Sequence, residues 1–74
     1  MTYPLLLLHT KYNIRLANGS EFRTNYRFWR NMHNTGRIAT HLEGTLRMVS
    51  TDELDRLERE GIPFRGQTAR LTKA

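Results

Sequence analysis

The sequence predicts a small α+β domain, an antiparallel sheet packed against one or two short helices. Three observations predict it. Short apolar or alternating segments bounded by turn residues read as strands. The run "YRFWRNMHNTGR" at 26–37 carries a helical period. "STDELDRLEREG" at 50–61 opens on a capping signal and closes on glycine.

Tyr3 to Leu8 is an apolar run led by Pro4 and followed by His9-Thr10-Lys11. Its short length favours a buried strand over the start of a helix. In "YNIRLA", Tyr12, Ile14 and Leu16 alternate with Asn13 and Arg15, which is a half-buried strand pattern. Asn18-Gly19 then signals a hairpin, because both residues tolerate positive φ. "SEFRT" returns as the third strand, with Phe22 on the inner face.

On a helical wheel, Phe22, Tyr26, Phe28, Trp29, Met32 and His33 fall within an arc of about 160°. Arg23, Arg27 and Arg30 fall together on the opposite side. A strand would leave Trp29 among the arginines, so the expectation is a helix from about Asn25 to His33. Thr24 or Asn25 is its cap and Gly36 its stop. "RIATHLEGTLRMVS" reads as two strands around Gly44, roughly 37–42 and 45–49. Ser50 and Glu53 form a capping box for the second helix, whose early acids complement the helix dipole. Leu54 and Leu57 mark its inner face, and Ile62 and Phe64 tuck back around Pro63. Residues 1–65 are expected to be the domain and 66–74 a flexible basic tail.

With 74 residues and no cysteine, the chain has a thin stability margin and no disulfide or thiolate metal site. Cysteine absence fits a reducing cytosol, and a cytoplasmic location is expected. No stretch approaches the roughly 18 apolar residues of a membrane span, and the N-terminal run is short for a signal segment. No membrane partner is expected, and monomer and homodimer are both open.

The net charge is +5. Residues 52–60 hold five acids against Arg56 and Arg59, a net of −3, so the remainder carries +8. A body that basic attracts polyanions or acidic protein surfaces. Arginine is ten of the twelve basic residues, which a GC-rich genome would also produce.

Cofactor-dependent and covalent chemistry find no pattern here. His9, His33 and His41 lack cysteine partners and ligand spacing, so no metal is expected. Ser20 lies in a turn, Ser50 is a cap, and neither sits in a nucleophile elbow. The glycines at 19, 36, 44, 61 and 66 are scattered, so no phosphate loop exists. One enzyme class can be written down: a cofactor-free ribonuclease using His33, His41, Arg37, Tyr26 and Glu43. No spacing supports it, and the expectation is a protein that is not an enzyme.

Binding chemistry suits the chain better. Arginine pairs bidentately with phosphate and carboxylate, and tryptophan, tyrosine and arginine dominate interface hot spots. Arg23, Tyr26, Arg27, Trp29, Arg30 and Arg37 are the candidate contact residues, with no catalytic residue and no cofactor. The aromatics among them are also the residues a small core needs. No motif ties the chain to a known family, and ribonucleoprotein, zinc-finger and helix-turn-helix features are missing. Size and composition are like those of small phage or mobile-element regulators, an analogy only. The leading expectation is a non-enzymatic regulator that docks on a protein component of a nucleic-acid-handling complex. RNA polymerase and the transcription apparatus come first, with adjacent DNA or RNA an allowed contact. Direct DNA or RNA binding is the alternative.

Overall fold

A computed structural model describes residues 1–74. Seven strands, two α-helices and one 3-10 helix build two antiparallel sheets, an α+β arrangement. The strands are β1 (Thr2–Pro4), β2 (Tyr12–Arg15), β3 (Glu21–Arg23), β4 (His41–Glu43), β5 (Leu46–Ser50), β6 (Ile62–Phe64) and β7 (Gln67–Lys73). The helices are α1 (Tyr26–Asn34) and α2 (Thr51–Glu60). One sheet has the order β1-β5-β4 and the other β3-β2-β7-β6. The expected single sheet is therefore two, because the β4–β5 hairpin pairs with β1 and not with β2.

The four leucines do not form the expected strand. After Pro4 the chain turns into a 3-10 helix over Leu5–Thr10. With three residues per turn, Leu5 and Leu8 stand on one side and are buried, while Leu6 and Leu7 face solvent. A strand would have alternated these four residues, and a longer helix would have needed more apolar chain.

β2 and β3 form the expected hairpin with a different turn. The Gly19 N–H donates to Leu16 O and the Leu16 N–H to Ser20 O. Gly19 alone adopts positive φ, at 90°, and the Ser20 N–H donates to the Asn18 side chain. That is a three-residue loop, not the two-residue one that Asn-Gly suggests.

α1 begins where its sequence indicates. The Asn25 side chain accepts the Phe28 N–H at 2.8 Å, which satisfies one of the free donors of the first turn. At the other end, Gly36 N–H donates to His33 O and Arg37 N–H to Met32 O, with Gly36 at φ 75°. These are the paired bonds of a Schellman stop.

Arg37 to Thr40 is not strand. The Ala39 N–H donates to Glu53 Oε2 at 2.7 Å, so α2 takes the donor a ladder would have used. The Ser50 side chain caps α2 by accepting the Glu53 N–H. The return half of the capping box is missing, since the Glu53 carboxylate is held instead by Ala39 and by both Nε and Nη2 of Arg56. Arg56 also reaches Glu60 and the Arg37 carbonyl. α2 is thereby pinned to the segment that follows α1.

Residues 66–74 are the main correction. β7 lies in the middle of its sheet, pairing with β2 on one side and β6 on the other. Ala69 and Leu71 are buried in the single core cluster with Ile14, Trp29, Leu54 and Ile62. Two small or medium apolar residues at a spacing of two are a weak strand signal, and a basic composition hid it.

Two outcomes are expected. Ending the chain at Arg65 removes the strand that both β2 and β6 need, so far-ultraviolet dichroism should show an unfolded chain at room temperature. Arg56, then Ala39, hold the Glu53 carboxyl below the usual glutamate range. That stabilisation is fully present above about pH 4.3, and it is lost as pH falls through the lowered folded value. Glu53→Gln should cost about 1–2 kcal/mol at neutral pH, measured by urea unfolding. The difference from wild type should shrink toward zero in acid.

Candidate interaction surface

α1 sets what the opening aromatic and basic run can do. Trp29 is fully buried. Its indole N–H donates to Thr24 Oγ1 at 2.9 Å, and that hydroxyl donates to the Tyr12 carbonyl at 2.9 Å. Phe28 meets the Trp29 ring edge-on at 5.2 Å. Trp29 therefore leaves the candidate contact set: it is a core residue whose one polar atom is already satisfied.

With Trp29 and Met32 inward, Arg27, Arg30, Asn31 and Asn34 face solvent. Tyr26 is 43% exposed, and the Arg30 guanidinium lies 5.8 Å from its ring centroid. This is the exposed aromatic–arginine pair of the helix.

Arg23 does not join them. It belongs to β3, not α1, so the helical wheel does not apply to it. Its cross-strand partner is Asn13, on the face opposite Phe22 and Ile14. There it lines a separate depression with His9, Thr10, Asn13 and Thr24. Phe22 shares the inner face with Ile14 as expected, yet it is 39% exposed because β3 is an edge strand.

Arg37 is brought together with residues the sequence reading did not single out. A groove of about 290 Å³ runs between the C-terminal end of α1 and the β6–β7 turn. Phe28, Met32 and Phe64 give it an apolar wall, and Asn31, Arg37 and Arg65 give it polar ones. Arg65 lies 5.1 Å from the Phe64 ring centroid. Phe64 also touches Phe22 and Phe28, at centroid distances of 6.1 and 6.4 Å. Arg27 lies on α1 one helical turn before Asn31 and is exposed.

Arg65 and Gly66 form a two-residue hairpin loop, both at positive φ, 51° and 78°. Glycine or asparagine would sit there with less strain. The missed signal was "FRGQ" between Ile62-Pro63-Phe64 and the alternating Ala69 and Leu71.

The charges are sorted as follows. Arg15, Arg47, Arg56 and Arg70 spend their guanidinium groups on internal hydrogen bonds. The guanidinium groups of Arg23, Arg27, Arg30, Arg37, Arg59 and Arg65 form neither an ion pair nor a hydrogen bond. Glu21 and Glu43 are committed, to Asn13 with Arg15 and to His41 with Thr2, which holds both carboxyls below the usual range. The acids without a basic partner, Asp52, Asp55 and Glu58, all lie on α2.

The residues of the ribonuclease reading are not gathered at one point. Tyr26 starts α1 and Arg37 follows its end, roughly 12 Å of helix apart. His33 is bonded to the Thr40 hydroxyl, and His41 to Glu43 on β4. No helix is long and apolar enough to cross a membrane.

Comparison with protein-family models, curated proteins and solved structures gives no significant match. Function is therefore read from this chain's own geometry.

A left-handed arginine is costly where asparagine is tolerated. Arg65→Asn should raise unfolding stability by about 1 kcal/mol, read from a chemical-denaturation midpoint.

Proposed function

We propose that this protein is a non-enzymatic binding regulator that docks on an acidic surface of a protein belonging to a nucleic-acid-handling complex, with the transcription apparatus the first class to test. What carries the assignment is the set of unpaired, solvent-facing arginines on and beside α1, namely Arg27, Arg30, Arg37 and Arg65. Their guanidinium groups have no internal acid, and the unpaired acids lie on a different helix. Tyr26 supplies the exposed aromatic that Trp29 does not. Attraction by the field and anchoring by an aromatic are the usual division of labour at such interfaces.

Direct binding of unpaired nucleic acid is the second reading, and one observation favours it. The groove offers Phe28 and Phe64 beside Arg37 and Arg65, two rings and two cations within one site. Bases stack on such rings with about 1–3 kcal/mol each.

Arg27→Glu with Arg30→Glu should leave the dichroism spectrum unchanged, because both side chains are exposed. Capture of a protein from nuclease-treated lysate should collapse in that variant. A fluorescence titration of single-stranded and duplex nucleic acid at two salt concentrations separates the readings. Submicromolar binding of the single strand by the isolated domain, with a salt slope of about −2.8 for four phosphates, would replace the first reading by the second.

A further inference from the structure

We infer that β4 is an edge for self-association, two copies pairing antiparallel about Leu42 to join their three-stranded sheets into one of six. The inference is independent of the arginine surface.

The backbone is set for it. The Thr51 N–H donates to the Met1 carbonyl, which fixes the alternation along β5: Val49 and Thr51 turn their backbone groups toward β1. Leu46 and Met48 must then turn theirs toward β4, where they oppose Glu43 and His41. Leu42 opposes Arg47 in the pair that is not hydrogen-bonded, so its N–H and C=O point away from the sheet. A second Leu42 placed across a two-fold axis satisfies both groups on each copy.

The side chains are self-complementary about that axis. Antiparallel pairing centred on Leu42 sets His41 of each copy opposite Glu43 of the other. Within one copy these two already meet at 2.7 Å on one face of the strand. Across the axis two imidazoles and two carboxylates alternate, so every opposed pair is attractive. Leu42 is 59% exposed although it shares a face with buried Val49, and Leu46, on the opposite face, is 49% exposed. The hairpin thus extends past the core, and Leu42 is the apolar residue on its edge strand that a second copy covers.

Two of the other three edges each lack a donor. β1 and β6 carry Pro4 and Pro63, which lack a donor. β4 has no proline. Its short length makes the association reversible and concentration-dependent.

Sedimentation equilibrium on the full chain, from micromolar to millimolar, tests this, with dichroism to confirm folding of each variant. Wild type should show a monomer–dimer equilibrium. His41→Glu sets two carboxylates opposite one another, and Glu43→Lys removes the carboxylate that faces His41; each alone should weaken it by about tenfold. Mixing those two variants should restore a heterodimer, because the acids of one then face the basic groups of the other. Leu42→Lys, which leaves the His41–Glu43 pair in place, should also give a monomer. A wild type that stays monomeric throughout, an association unmoved by these changes, or a mixture that fails to pair would overturn the assignment.

Discussion

The rotation of α1 about its own axis is the constraint on which the surface depends, and one chain of two hydrogen bonds sets it. A buried tryptophan must find an acceptor for its indole N–H. Thr24, just before the helix, supplies that acceptor and hands its own proton to the Tyr12 carbonyl of β2. The helix is thereby keyed to the sheet at one angle. With Trp29 inward, Arg27, Arg30 and Asn34 have no choice but solvent, and Phe28 is turned toward Phe64. The same key explains how so arginine-rich a segment can border the core without burying a charge.

A second key lies at the other end of α1. Glu53 and Arg56 of α2 hold the Ala39 N–H and the Arg37 carbonyl, so the chain leaving α1 is fastened to the acidic helix by its backbone. The Arg37 side chain is left free to line the groove with Arg65. Opposite charges therefore sit near one another along the backbone while their free groups diverge. Internal pairing absorbs four arginines, and the unpaired remainder is concentrated beside α1 except for Arg23 and Arg59. The separation of charge is real but less clean than a two-faced molecule would be.

The α+β class, both α-helices, their caps and the β2–β3 hairpin were legible because each has a local cause: a period, a capping side chain, a turn residue. What was not legible depends on distant partners. Leu5 to Leu8 reads as strand until Pro4 and the core decide that only two leucines are needed inside. Arg37 to Thr40 reads as strand until Glu53 takes its donor. Gln67 to Lys73 has too little apolar content to announce a central strand, and it becomes one because β2 and β6 flank it. The surface shared this limit. Arg27, Arg30 and Tyr26 follow from the helix alone. The removal of Trp29 and Arg23, and the arrival of Arg65 and Phe64, required tertiary contacts.

The position of β7 also governs how the molecule comes into being. β2, near one end of the sequence, has as its inner neighbour a strand near the other end, with Ile14 opposite Leu71. Closing so long a loop is an entropic toll that local hairpins do not meet. The β2–β3 and β4–β5 hairpins can form on microsecond timescales, but the core around Leu71 closes only when β7 arrives. Folding should therefore be slower than helix content alone would imply. A nascent chain on the ribosome holds β2 with an open side until residues 67–73 emerge.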